Sequence, residues 1–250
     1  MTESNSENNN DDPLLFLKDK IFVVVGAENQ LGLDISQIGA EMGAQVILAG
    51  MNESVLKDAA KRLVSQQHKA FFTCINPTKP DEVKSQFISL REKFKEINVL
   101  VLNMDFKVNK KIVDTSWVEW QNHLLINLTA PFLFIKYALS YMTENSKIVV
   151  INTDKFNPKT DQSAAYCASK AALHSFLQIA RTEASKHDID LIEAIFDEST
   201  YLDCSKDKLK TFYRDAAKQI IIAINPLSEA NHQQLHLGCS SYKKHDSQNT

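Results

Sequence analysis

Tyr166 and Lys170 stand four residues apart in the stretch 161–180, DQSAAYCASKAALHSFLQIA, whose apolar spacing predicts a helix. That separation is about one helical turn, so the phenol and the ammonium share a face. A neighbouring ammonium favours the phenolate, which a tyrosine needs in order to trade protons near neutral pH. A Tyr-x-x-x-Lys match alone is weak, and a solvated lysine beside a packed tyrosine is its ordinary structural explanation. The pair carries chemistry only if other elements deliver matching groups to it.

The chain supplies such elements in regular alternation. Residues 21–25 (IFVVV) form a continuous β-branched run that ends at Gly26, the pattern of a buried parallel strand. The turn Gly26-Ala27-Glu28-Asn29-Gln30-Leu31-Gly32 leads into a helix over 33–42. Further strands are predicted at 45–48, 70–75, 99–102, 148–151 and 191–196, with a last one at 235–239. Helices are predicted over 53–64, 79–97, 117–142 (one or two, broken near Pro131) and 212–224, besides the tyrosine helix. About six alternations of buried strand and helix, without an internal repeat, predict an α/β fold: a doubly wound parallel sheet, Rossmann-type, in a single domain. Ligands of such sheets lie beyond the carboxyl ends of the strands, so the loops after strands one, four, five and six are where chemistry is expected.

Composition narrows the classes. With 250 residues, 44% hydrophobic and 24% charged, the chain is ordinary globular material. A net charge of −3 argues against a nucleic-acid or anionic-membrane partner. The four cysteines, Cys74, Cys167, Cys204 and Cys239, form no CxxC pair and read as reduced thiols of a cytoplasmic protein. Residues 1–17 open with a polar, acidic run unlike a targeting segment and read as a disordered tail, the domain spans 18–239, and 240–250 is a polar C-terminal tail. The apolar run 220–224 is far too short to span a bilayer. His232 and His236 are spaced for a metal, but no third ligand is placed by spacing, so no metal site is expected.

Thr153 closes strand five, 13 residues before Tyr166; Asn127 sits in NLTAPF on the preceding helix; Asn103 follows strand four; Gly26 and Gly32 flank the first turn. In joint order and spacing, and in the wording of AAYCASKAAL and INLTAPF, the chain resembles the short-chain dehydrogenase/reductase family from residue 18 to about 239. It resembles the branch that includes 3-oxoacyl carrier-protein reductases and small alcohol dehydrogenases. The resemblance implies a catalytic tetrad of Asn127, Thr153, Tyr166 and Lys170. Tyr166 would be the general acid or base, and Lys170 would support it and hydrogen-bond the nicotinamide ribose. Thr153, standing where the family has Ser, would hold the substrate oxygen, and Asn127 would hold a relay water through its helix backbone. Gly26, Asn29, Leu31, Gly32, Met51, Asn76, Asn103, Tyr166 and Lys170 would bind NAD or NADP. A small-molecule carbonyl or alcohol substrate and a homodimer or homotetramer, with an interface on the apolar side of 171–179, are implied as well. Of the aromatic run Phe132, Phe134 and Tyr137, core or interface packing is expected.

The sequence also departs from the family's wording. The middle glycine of the first turn is Gln30, which places a side chain near the phosphates. After strand two, Gly50-Met51-Asn52 carries neither an acidic residue for the ribose 2′-hydroxyl nor an arginine for a 2′-phosphate, and Glu28 would repel that phosphate if it points there. The cofactor preference stays open. Asn76 replaces the usual Asp at the adenine, Asp105 replaces a glycine after strand four, and Asp197-Glu198 replaces Pro-Gly beside the nicotinamide. The lid 197–210 is short and polar, a mild preference for a small or carrier-tethered substrate. Two functions therefore compete: a ketone–alcohol oxidoreductase, and a catalytically impaired relative that binds a nucleotide or a protein.

Overall fold

The computed structural model describes residues 15–153, 163–196, 205–226 and 234–237. The strands are β1 (Ile21–Val25), β2 (Gln45–Gly50), β3 (Ala70–Cys74), β4 (Val99–Leu102), β5 (Lys147–Thr153), β6 (Asp190–Phe196) and β7 (Gln234–Leu237). They pair in parallel, in the order β3-β2-β1-β4-β5-β6-β7. The order reverses between β1 and β4, the switch point at which a doubly wound sheet opens a crevice.

Alternation along each strand sends side chains to two cores. Phe22 and Val24 of β1 join one, with residues of α1 (Gln30–Glu41), α2 (Glu53–Ser65) and α7 (Lys206–Ala223). Ile21, Val23 and Val25 join the other, with α3 (Pro80–Phe94), α5 (Ala130–Tyr141) and α6 (Ala164–Ser185). The layers are helix–sheet–helix, as the alternating pattern predicts. Phe16 and Leu17, counted with the N-terminal tail above, pack into the first core, because their apolar side chains are worth more buried than solvated. The expectations for residues 1–14 and 240–250 lie outside the described residues.

Local chemistry sets the helix ends. Asn29 caps α1 by accepting the Gly32 N–H, so this helix starts at Gln30 rather than at Leu33. Pro80 starts α3 and Lys95, at φ 66°, ends it before the predicted boundary. Pro131 does not break its helix. A π-turn at Leu125–Thr129 joins α4 (Trp117–Leu124) to α5, and Pro131 falls in the first turn of α5, where its missing N–H costs least. The helical run Trp117–Tyr141 is long and apolar enough to cross a bilayer by length and composition; here it packs on α3 and α6.

Candidate active site at the sheet switch point

The turn after β1 is held by close packing. Gly26 has φ 77°, and a Cβ there would lie 2.2 Å from the Asn103 carbonyl oxygen. A Cβ on Gly32 would lie 2.6 Å from the Gly26 oxygen. Both positions need glycine: one for backbone sign, one for space. Asn103 locks the turn to β4, its Nδ2 donating to Gly26 O at 3.0 Å and to Asn29 Oδ1 at 2.7 Å. Gln30 does not fill the turn. Its amide folds back along α1 and donates to Asp34 Oδ1 at 3.0 Å, one turn on. Burial pushes the Asp34 carboxyl above its usual range, and the Gln30 bond opposes that shift.

A cavity of about 270 Å³ opens beside this turn. Asn29, Gln30, Leu31, Asn103, Asp105, Asn152, Thr153, Tyr166 and Lys170 line it, together with Phe196 and Tyr213. It therefore gathers groups from the ends of β1, β4, β5 and β6 and from α6, as the sheet topology predicts. Tyr166 and Lys170 are both nearly buried, with the Lys170 Nζ 5.5 Å from the Tyr166 ring centroid. Lys107 places a second ammonium 4.7 Å from that centroid.

Two of these groups are already engaged. Lys170 Nζ makes an ion pair with Asp105 Oδ1 at 2.8 Å. The Thr153 hydroxyl donates to the Phe196 carbonyl at 2.9 Å, a bond that runs to β6. Asn127 lies beneath the cavity and is fully buried. Its side chain clamps Phe106 at both ends, accepting the Phe106 N–H at 2.8 Å and donating to the Phe106 carbonyl at 2.9 Å. It also donates to Ser169 Oγ at 3.0 Å, whose hydroxyl donates to the Tyr166 carbonyl. Asn127 thus ties the loop that carries Asp105 and Lys107 to the helix that carries Tyr166.

His123, one turn before Asn127, does similar work and was not singled out in the sequence. Its Nδ1 bonds the Glu119 carbonyl and its Nε2 accepts the Val108 N–H, which fixes the neutral tautomer with the proton on Nδ1. Its ring packs edge-on to Phe106 and Tyr166. The four-residue spacing from Asn127 was the available signal.

The remaining expected cofactor contacts lie at the rim. Met51 points its side chain to solvent, 59% exposed. Asn76 spends its Oδ1 on an Asx turn, accepting from the Thr78 N–H and hydroxyl, which leaves it poorly set to meet an adenine amine. Asp197, Glu198 and the first part of the lid lie outside the described residues, as does His232. Among the described residues, no cluster of His, Cys, Asp and Glu is suited to a metal.

A doubly wound sheet with a glycine turn at its switch point and a Tyr–Lys pair in the facing crevice defines a nucleotide-fold class. Within it, the sequence profile described as short chain dehydrogenase matches residues 20–195. The chain belongs to the short-chain dehydrogenase family. Among relatives, an uncharacterized oxidoreductase of Staphylococcus saprophyticus is 31% identical over 173 residues, 68% of this chain and 74% of its own. One from Staphylococcus aureus strain MRSA252 is 28% identical over 223 residues, 86% of this chain and 95% of its own. Among solved structures, a Mycobacterium smegmatis short chain dehydrogenase superposes with TM-score 0.79 at 18% identity, over 90% of this chain and 94% of that one. A metagenomic short-chain oxidoreductase in complex with NADP superposes with TM-score 0.75 at 18% identity, over 90% of this chain and 99% of that one.

Proposed function

We propose that this protein is an NAD(P)(H)-dependent oxidoreductase that interconverts a ketone and a secondary alcohol. The observation that carries the reading is the convergence of Tyr166, Lys170, Thr153 and Asn103 on one crevice in a chain of this family. The site fits a dinucleotide. Gly26 and Gly32 leave no room for a Cβ at the turn, and Gln30 folds its side chain aside, so a pyrophosphate can approach the start of α1. Gly26, Asn29, Leu31 and Gly32 would hold that end, with Asn103 bracing the turn; Met51 and Asn76 are at most peripheral. Tyr166 and Lys170 would meet the other end. The nicotinamide, when bound, supplies or accepts the hydride.

The protein's own part is proton transfer and positioning. Tyr166 gives its phenolic proton to the carbonyl oxygen of the substrate, or takes it back in reverse. The Lys170 ammonium favours the phenolate left behind. The Thr153 hydroxyl swings from Phe196 to hold the substrate oxygen, and its β-branch narrows the approach. Asn127 positions the loop and helix through Phe106 and Ser169, and its backbone carbonyl would hold a relay water.

A homodimer or homotetramer is part of this reading. Trp117 and Ile179 are 69% and 65% exposed on α4 and α6, and Phe132 is half-exposed on α5, whereas Phe134 packs in the core. A monomer by light scattering at micromolar concentration would remove this element.

A second reading, a non-catalytic relative, is favoured by the Lys170–Asp105 ion pair and the committed Thr153 hydroxyl. Titration with each cofactor, followed by thermal stability, then steady-state assays with ketones and alcohols, separates the two. Binding plus turnover that Tyr166→Phe abolishes, with the fold intact, supports the enzyme. Equal rates in both proteins would sink the tyrosine mechanism, and binding without any turnover would favour the second reading.

A further inference from the structure

Glu28 reaches from the turn after β1 to the end of β2. Its Oε1 accepts the Met51 N–H at 2.9 Å. Its Oε2 is buried and has no hydrogen-bond partner. The carboxylate lies so close over Gly50 that a Cβ there would sit 1.9 Å from Oε2 and 2.5 Å from Cδ. Gly50 is the last residue of β2, and its φ is not in the left-handed region. Space for the Glu28 carboxylate, rather than backbone sign, is what this glycine provides.

The end of the second strand is where a doubly wound dinucleotide fold reads the adenosine ribose: a carboxylate receives the 2′-hydroxyl, and an arginine accepts a 2′-phosphate. The stretch Ala49-Gly50-Met51-Asn52-Glu53 contains no cation, and Asn52 is occupied in capping α2. Met51 turns outward. The only carboxylate of that stretch, Glu53, lies in the first turn of α2, and it is Glu28 that brings a carboxylate to the strand end, pinned there by Met51 N–H and given room by Gly50.

We propose that Glu28 selects NAD(H) and excludes NADP(H), its carboxylate accepting the ribose 2′-hydroxyl and repelling a 2′-phosphate. The proposal rests on the dinucleotide-binding reading above. A 2′-phosphate adds between one and two negative charges beside a carboxylate already desolvated on one side, so NADH should bind at least about tenfold more tightly than NADPH.

The test is a titration of the full chain with NADH and with NADPH, followed by calorimetry or nicotinamide fluorescence, for the wild type, Glu28→Ser and Gly50→Ala. The two cofactors differ only at the 2′ position, so whatever the nicotinamide half meets cancels in their ratio. A wild-type preference for NADH that Glu28→Ser narrows or inverts, mainly by tightening NADPH, supports the proposal. Gly50→Ala, which displaces the carboxylate, should weaken NADH in a protein whose melting temperature shows it folded. Equal affinities in the wild type, tighter NADPH, or a ratio unmoved by Glu28→Ser overturns it. If neither cofactor, reduced or oxidised, binds at millimolar concentration, the dinucleotide reading itself fails and the proposal falls with it.

Discussion

Asp105 holds Lys170 by an ion pair 2.8 Å long inside the crevice, with the lysine almost fully buried and the carboxylate half in water. A ribose that is to hydrogen-bond this ammonium must therefore compete with a carboxylate tethered on the neighbouring loop. Replacing Asp105 with Gly has two opposite effects. Without a cofactor, the buried ammonium loses its partner, and stability should fall by roughly 1–2 kcal/mol, less than for a fully buried pair because Asp105 is partly solvated. With a cofactor, the competitor is gone, so affinity should rise and the ligand-induced gain in melting temperature should widen. Melting curves of both proteins with and without saturating NADH or NADPH check this. A variant with weaker cofactor binding would mean that Asp105 serves the bound state, by orienting Lys170, rather than opposing it.

Asn127 is the joint between the Asp105 loop and the tyrosine helix. Asn127→Ala leaves the Phe106 N–H and carbonyl and the Ser169 hydroxyl short of partners in a buried site. A loss of about 2–4 kcal/mol in urea unfolding is expected. If the joint also sets the crevice geometry, turnover should fall more than cofactor affinity does. A variant of unchanged stability would show that the loop is held elsewhere.

How much of this was legible in the sequence follows from how local each cause is. The strands were read from continuous β-branched runs, and their parallel order from alternation with helices, because both signals lie within a few residues. The π-turn before Pro131 was not read: whether a proline breaks a helix or settles into its first turn depends on how the preceding ladder shifts. The residues gathered at the crevice were legible in their joint order. What was not legible was where their side chains point. In the sequence Gln30 places a side chain near the phosphates, and in the fold that side chain bonds Asp34; Asp105 reads as a lost glycine and bonds Lys170. Glu28 was recognised as a charge whose direction mattered, and that direction depends on the space over Gly50, 22 residues away. Side-chain pairing across the sheet is a tertiary fact, and periodicity does not carry it.

The loop that returns from Asp105 to α4 should be sensitive to acid. Glu119 is held well below the usual carboxylate range, to about 2, first by the Lys110 ammonium and then by the Ser116 N–H and hydroxyl in a capping box. Its folded value lies below its unfolded one, so the folded state binds fewer protons in between and stability rises with pH there. The contribution is present above about pH 4.5 and is lost as pH falls towards 2. The melting-temperature gap between wild type and Glu119→Gln should be full at about pH 6 and reduced to roughly a quarter at about pH 2.5. A gap that stays constant across that range would show that the cap holds without the charge.

Beneath the crevice, the carboxylate of Glu193 is completely buried on β6, in a strand whose other buried residues are apolar. Every neighbour the structure gives it is a donor. Asn152 Nδ2 reaches Oε1 at 2.7 Å, Gln234 Nε2 reaches Oε2 at 3.2 Å, and His174 Nδ1 lies 3.0 Å from both oxygens. The Gln178 amide meets the other ring nitrogen at 2.8 Å. An ionised carboxylate accepts at both oxygens and suits three donors; an amide does not. Glu193→Gln turns an NH₂ group towards a donor, so the cost should be about 2–3 kcal/mol, or a fall of roughly 5–10 °C in Tm. Because Asn152 adjoins Thr153, turnover should suffer as well. A double-mutant cycle with His174→Ala separates the two contributions: a coupling of about 1 kcal/mol or more is expected for directly bonded partners. Additive losses, or a Glu193→Gln variant as stable as the wild type, would mean that the buried carboxylate is satisfied by other groups and that the network does not brace the crevice.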